Sequence, residues 1–281
     1  MSLADRYFKE EVNTILISGF NDENYEVRPK WPDGTPAHTI KTFCAVRRYD
    51  VSKEFPILTL RTQAFKGVVR ELLWMWQKKS NIVDELGKSA AIWRAWEDDK
   101  GTIGKTYGYQ LGKTADYGYG VFDQVDNLIY LLKNKPMDRR MITTMWCPQD
   151  LHEMNLPPCV YETLWDVTDG KLNCTVIQRS GDMLAAAASG GWDTMQYAIL
   201  THMLAQTCGY EVGELVHIVN NLHIYDRHVE TVKEVMNNPE YPAPKLWINP
   251  EVKNFYDFTE DDFELIDYQS TKLTSKFEIA E

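Results

Sequence analysis

Apolar residues repeat every three or four positions through "DRYFKEEVNTILISG", where Phe8, Val12, Ile15 and Leu16 form one face of an amphipathic helix that Gly19 stops. The same period runs through "AFKGVVRELLWMWQ", strongly apolar yet carrying Arg70 and Glu71 at its middle, and through "VFDQVDNLIYLLKNKP", with Pro136 just past its end. "TMQYAILTHMLAQTCG" reads as a buried helix ended by Gly209. "VRPKWPDGTPAHTIK" is rich in turn residues. "TFCAVRRYDV", "MITTMW", "YETLWDVTDGKLNCTVIQRS" and "ELVHIVNNLHIY" read as strands, the third folding into a hairpin at Asp169-Gly170. Strands and helices mix without a strict βαβ rhythm, so the expected class is α+β. No repeat, low-complexity tract or linker splits residues 1–281, which predicts a single domain. One stretch resists assignment: "SGDMLAAAASGGWDTMQY" sets small residues and a Gly-Gly pair, poor helix material, directly before the buried helix.

Composition narrows the class. The net charge of −11 argues against a DNA partner bound by phosphate neutralisation, though it leaves room for a local basic pocket. No run approaches the roughly 18 apolar residues of a membrane span, and "MSLADRYFKEEV" is too charged for a signal peptide. Five cysteines without C-x-x-C spacing suit a reducing compartment, so a cytoplasmic location is expected.

Chemistry gathers at a few positions. Pro157 and Pro158 hold the backbone extended before Cys159, fixing where its sulfur points; that arrangement serves either a nucleophile or a structural cysteine. Arg28 in a turn, Arg139-Arg140 after a helix end and Arg179 before Ser180 are either solvated or a bidentate phosphate clamp. Glu71 on an apolar helix is either a charge at the helix seam or an acid whose raised pKa serves proton transfer. His223 and Tyr225 alternate onto one strand face and can bond a polar ligand. His223 and His228, five apart, match no metal-ligand spacing, so no metal is expected.

Together these segments resemble the thymidylate synthase family. "KWPDGTPAHT", "RELLWMWQ", "IWRAW", "GKTYGYQLG", "DQVDNLIYLLKNKPMDRR", "LPPCVYE", "DGKLNCTVIQRSGDM", "HIYDRH" and "PAPKLWINPEVKNFYDFTEDDFELIDY" follow that family's blocks in order. The resemblance implies an α+β subunit with a large mixed β-sheet flanked by helices, paired back to back as a homodimer. It implies a one-carbon transferase acting on a pyrimidine nucleoside monophosphate, with 5,10-methylenetetrahydrofolate as co-substrate. Cys159 becomes the nucleophile that adds to C6, Glu71 the proton-transfer acid, and Tyr107 the tyrosine near the C5 proton. Arg28, Gln178, Arg179 and Ser180 become substrate ligands, with Arg139 and Arg140 reaching the partner's phosphate. His223 and Tyr225 hold the sugar 3′-hydroxyl, and Trp93 and Asp182 contact the folate.

The resemblance fails in one block. The family reads Leu-Gly-x-Pro-Phe-Asn four residues before a tyrosine, and that asparagine reads the base. Here "LAAAASGGWD" replaces it, and counting back four from Tyr197 reaches Asp193. An ionised aspartate only accepts hydrogen bonds, so it opposes uracil O4 and suits the cytosine 4-amino group. The expectation is therefore C5 hydroxymethylation of a cytidine nucleotide, CMP or dCMP, as in the family's cytidylate 5-hydroxymethylase branch. The alternative is thymidylate synthase itself, methylating dUMP to dTMP; a catalytically silent nucleotide-binding relative is a remote third. Asp193 also suits an N-cap for the helix that follows. Val160, Asn221 and the ending "KFEIAE" differ from the usual family residues as well.

Overall fold

The structure is a computed structural model that describes residues 1–185, 188–273 and 275–280. Ala186 and Ala187 of the small-residue loop, together with Thr274 and Glu281 of the C-terminal stretch, lie outside the described residues. Helix α1 (Leu3–Ser18) starts at Ser2, whose side chain accepts from the Asp5 N–H, and it buries the predicted Phe8, Val12 and Ile15. The chain continues through β1 (Phe20–Asn21), β2 (Thr39–Asp50), α2 (Phe65–Trp76), α3 (Gly108–Leu111), β3 (Ala115–Asp116) and β4 (Val121–Phe122). It then forms α4 (Gln124–Asn134), β5 (Ile142–Thr144), β6 (Val160–Thr168), β7 (Lys171–Asp182) and α5 (Trp192–Cys208). β8 (Glu211–Tyr225), α6 (Val229–Met236), β9 (Lys245–Ile248) and β10 (Phe263–Ile266) complete it.

Six strands make one mixed sheet in the order β1-β2-β8-β7-β6-β5. Every pairing in it is antiparallel except that of β7 with β8. A parallel pair needs a crossover, and α5 supplies it. The hairpin between β6 and β7 turns where expected, with φ of 52° at Asp169 and 73° at Gly170, as a tight turn between twisted strands requires. Register then aligns polar residues across the sheet: Asp182 faces His223 and Arg47 faces His217, while Gln178 is set opposite Val160, the residue after Cys159.

Helices α2, α4 and α5 cover one face of the sheet and share its main apolar core, which includes Leu72, Trp76, Leu128, Ile199 and Leu204. A second core joins α1 and α6 through Phe8, Val12, Val232 and Val235. α5 is buried on nearly all sides, and Gly209 ends it in the left-handed conformation, as predicted. Among the described residues no helix is long and apolar enough to cross a membrane.

The described residues just before α5 are packed rather than loose. Ala188 and Ser189 are fully buried, and the Ser189 hydroxyl lies 2.6 Å from that of Tyr49. Gly190 takes φ of +66° while its carbonyl accepts from the Leu58 N–H at 2.9 Å. A Cβ there would fall 2.5 Å from the Leu58 nitrogen and 2.7 Å from the Ala4 Cβ. Both the turn and the close approach demand glycine. Gly190→Ala should therefore lower the unfolding free energy by about 2 kcal/mol or more. Urea unfolding reads this directly, and an unchanged midpoint would contradict the packing described.

Candidate active site

Cys159 lies at the entry to β6, and β7 holds it from beside. The Arg179 guanidinium donates to the carbonyls of Pro158 at 2.9 Å and Pro157 at 2.8 Å, and one of its nitrogens lies 3.8 Å from the Cys159 Sγ. The Cys159 N–H donates to the Tyr107 hydroxyl at 3.0 Å. Tyr107 itself has φ of 42°, a strained backbone that costs a non-glycine residue about 1–3 kcal/mol. The prolines thus set an extended path, and an arginine and a strained tyrosine fix its place. Burial pushes the thiol pKa above its ordinary value; Arg179 and Arg28 pull it down, and Asp193 pushes it up. The thiol is half-buried beside a guanidinium, whose charge favours the thiolate against the effect of burial.

Glu71 projects from α2 into the core and is only 4% exposed. Its two oxygens accept from indole N–H groups, Trp93 at 2.6 Å and Trp192 at 2.7 Å, with Gln196 at 3.2 Å from the same oxygen as Trp192. Trp192 and Gln196 are one turn apart on α5, so a single helix face supplies two of the donors. Gly67, one turn before Glu71, makes room: a Cβ there would sit 3.0 Å from the Trp192 ring. Burial raises the Glu71 pKa, and the three neutral donors only partly offset it. The seam-charge reading is excluded, and a buried acid able to hold or pass a proton remains.

Asp193 does not cap α5. The N-cap is Gly191, with no side-chain capping bond, and Asp193 lies inside the first turn. Its Oδ2 instead accepts from the Gln178 amide at 2.8 Å. Burial, followed in effect by Glu71, pushes its carboxyl to about 7, against the bond from Gln178 and the charge of Arg47. Tyr107 and Cys159 feel its charge as well, so Cys159, Tyr107, Glu71 and Asp193 form one electrostatic cluster.

The other expected residues divide into two groups. Gln178, Arg179 and Ser180 follow one another on β7 beside Cys159. His223 and Tyr225 lie on β8 with ring centroids 5.0 Å apart, and His223 Nδ1 is 3.0 Å from the Asn221 side chain. Asp182 ends β7 beside His228 at 3.6 Å, which holds its carboxyl low despite burial, and His228 also meets the Glu278 carbonyl at 2.8 Å. Trp93, expected at the folate, turns its N–H to Glu71 and packs on Trp74, Trp96 and Tyr107. Arg28 is exposed and reaches Cys159 only by its charge. Arg139 and Arg140 stand exposed on the loop after α4, with Arg140 bound to Asp138. Among the described residues no group of three or more His, Cys, Asp or Glu could hold a metal ion.

Sequence reasoning passed over Trp192, Gln196, Thr194, His217 and Arg47. Trp192 and Gln196 carried a readable signal, an i, i+4 pair of donors in the first turns of a buried helix. The buried Arg47, bound by Glu11 at 2.6 and 2.9 Å, carried none, because its partner lies on another element.

A family model described as Thymidylate synthase matches residues 6–280. A thymidylate synthase of Bacillus licheniformis is 48% identical over 284 residues, covering all of both chains. Thymidylate synthase 1 of Bacillus subtilis strain 168 is 46% identical over 272 residues, 96% of each chain. The solved structure of thermostable thymidylate synthase A from Bacillus subtilis superposes with a TM-score of 0.92 at 44% identity, covering 99% of each chain. These relatives, all thymidylate synthases, overturn the expected hydroxymethylation of CMP or dCMP. That expectation requires Asp193 to be ionised. A carboxyl held at about 7 also exists as an acid, which offers a donor and an acceptor as an amide does. The protein is a one-carbon transferase with 5,10-methylenetetrahydrofolate as co-substrate, and its chain belongs to the thymidylate synthase family.

Proposed function

We propose that this enzyme methylates dUMP to dTMP. The observation that carries this reading is the gathering of Cys159, Tyr107, Glu71 and Asp193 into one polar cluster between β6, β7, α2 and α5. Cys159 forms its bond to C6 of the pyrimidine while the C5–C6 electron pair moves toward C5 and O4; its thiol proton leaves to solvent or to Glu71. Arg179, already against the sulfur, stabilises the thiolate that precedes attack. Glu71 passes protons through water to the base, and Tyr107 stands where the C5 proton departs. Once C5 bears its methyl group, the C5–C6 double bond re-forms and the Cys159–C6 bond breaks, its electron pair returning to sulfur. When bound, the folate supplies the carbon and the hydride and leaves as dihydrofolate. Asp182, partly exposed at the end of β7, fits a polar contact with it; Trp93 supports Glu71 and offers the folate only a ring edge.

Asp193 takes the base-reading position. As an acid it donates to O4 with one oxygen and accepts from N3–H with the other, so it complements uracil. Arg28, Arg179 and Ser180 serve the phosphate, with Gln178 beside them, and His223 and Tyr225 the 3′-hydroxyl. Arg139 and Arg140, exposed and remote from Cys159 in contact terms, serve the phosphate of a partner subunit in a back-to-back homodimer. Five free cysteines suit a cytoplasmic enzyme.

Incubation with dUMP and methylenetetrahydrofolate should yield a nucleotide heavier by one methylene unit, with the absorbance rise of dihydrofolate. Cys159→Ala should lower kcat by about 10⁴-fold or more. Absence of both products with the wild-type protein would remove the reading.

The carboxyl of Asp193 adds a pH dependence. Its folded pKa, about 7, lies above the ordinary 3.8, so the acid form is present below about 7 and is lost as pH rises through that value. With dUMP, kcat/KM should fall through that range, and Asp193→Asn should abolish the fall. Stability should follow the same sign: the wild type loses it as pH climbs from about 4 to 7, whereas the asparagine variant does not. Parallel pH profiles for the two proteins would disprove the assignment.

The dimer reading predicts complementation. Arg139→Ala/Arg140→Ala and Cys159→Ala proteins, each inactive alone, should regain part of the activity when unfolded together and refolded as mixed dimers. No recovery, with mixed dimers demonstrated, would separate the arginine pair from the partner's site.

A further inference from the structure

Behind Asp193 a line of buried polar groups runs into the sheet. Gln178 Nε2 donates both to Asp193 Oδ2 at 2.8 Å and to the Ser180 carbonyl at 2.9 Å. Its Oε1 lies 2.7 Å from His217 Nε2, and His217 Nδ1 lies 3.1 Å from the Thr194 hydroxyl. Gln178, His217 and Thr194 are at most 1% exposed. The Ser180 carbonyl can only accept, so the amide nitrogen must face it and the amide oxygen must face His217. That oxygen needs a donor, so the neutral imidazole carries its proton on Nε2 and its Nδ1 accepts from Thr194. Burial and the charge of Arg47 keep His217 neutral, which the line requires.

The polarity ends at Asp193. Its Oδ2 receives an N–H and is the carbonyl oxygen of the acid; the proton belongs on Oδ1. This matters because a carboxylic acid matches either pyrimidine. With its hydroxyl opposite the C4 substituent it suits uracil; turned round, its carbonyl takes the 4-amino group and its hydroxyl meets N3 of cytosine. We propose that His217 is a positioning residue for the base contact: through Gln178 it decides which oxygen of Asp193 holds the proton, and so which pyrimidine edge is accepted. The inference rests on Asp193 as the base contact. The other groups facing that carboxyl are Glu71 from α2, Arg47 from β2, Tyr107 at the start of α3, Cys159 before β6 and Tyr197 one turn along α5. None of them touches either amide atom of Gln178 among the hydrogen bonds described above.

The test compares His217→Phe, His217→Gln and Thr194→Val with the wild type. Phenylalanine removes the donor to Gln178, glutamine restores one near the Nε2 position, and valine frees the tautomer with little change of shape. In the ligand-free protein, carboxyl-labelled aspartate followed by NMR, with Asp193→Asn for assignment, should show Asp193 titrating higher in His217→Phe. The sign follows because the Gln178 bond holds the carboxyl down. His217→Gln should titrate like the wild type, and Thr194→Val should lie between. The ratio of kcat/KM for dUMP over dCMP should shrink about 10-fold in His217→Phe and recover in His217→Gln. An unmoved Asp193 titration in both His217→Phe and Thr194→Val overturns the relay, as does a ratio unchanged in both. A moved titration in a wild-type enzyme that turns over dCMP and not dUMP leaves the relay standing and removes the proposed substrate. If His217→Phe does not fold, Thr194→Val carries both measurements.

Discussion

Parallel strands cannot be joined by a tight turn, and the pairing of β7 with β8 obliges the chain to leave the sheet after Asp182 and return at Glu211. What lies between is the loop and helix α5, laid across the face that α2 also covers. Three ingredients of the site depend on that detour. Trp192 and Gln196 reach Glu71 on α2, Asp193 reaches Gln178 on β7, and Thr194 reaches His217 on β8. Three consecutive residues of one helical turn therefore address three different elements. The first turn can do so because its donors and acceptors fan out at about 100° per residue.

Charge in this region is rationed by the choice of partners. Glu71 is surrounded by neutral N–H groups and Asp193 meets an amide, so among the described residues neither acid is tied to a cation by a direct bond. A guanidinium on either would favour its carboxylate form and lower its pKa. Two arginines close to these groups are occupied elsewhere: Arg47 by Glu11 and Arg179 by the Pro157 and Pro158 carbonyls. Arg179 keeps its charge near the Cys159 sulfur, where it favours the thiolate. Arg47 keeps its charge near His217, where it opposes protonation of the ring. The same residue type thus promotes one ionisation and suppresses another, by position alone.

Much of this was legible in the sequence. Helical period marked α1, α2, α4 and α5, and the Asp-Gly hairpin located β6 and β7, because local turn chemistry and burial set those elements. Cys159, Glu71 and Arg179 stood out because each is costly where it sits: a thiol after two prolines, an acid on an apolar helix, a cation at a strand end. Asp193 was picked out by counting back from Tyr197, but its titration state, held at about 7, was not legible there. That state depends on Glu71, Arg47 and Gln178, which come from three elements that only the sheet and crossover bring together. His217 was passed over for the same reason. In "ELVHIVNNLHIY" it looks like one more inward residue of a strand, and only the register with Arg47 and the neighbouring Gln178 shows what it bonds.

The small-residue loop makes the point from the opposite side. Its alanines, serine and glycines suggest softness when read as propensities, since none drives a helix or fills a core. In the structure those sizes answer to neighbours: Gly190 passes against Leu58 and Ala4, Ser189 meets Tyr49, and Ala188 is fully enclosed. A longer side chain at any of these points would push the start of α5 away from the sheet. Trp192, Asp193 and Thr194 would then miss Glu71, Gln178 and His217 together, because they share one rigid turn. Small residues before α5 are therefore a condition of the site's geometry, and the precision of three hydrogen-bonded contacts rests on how closely those residues pack.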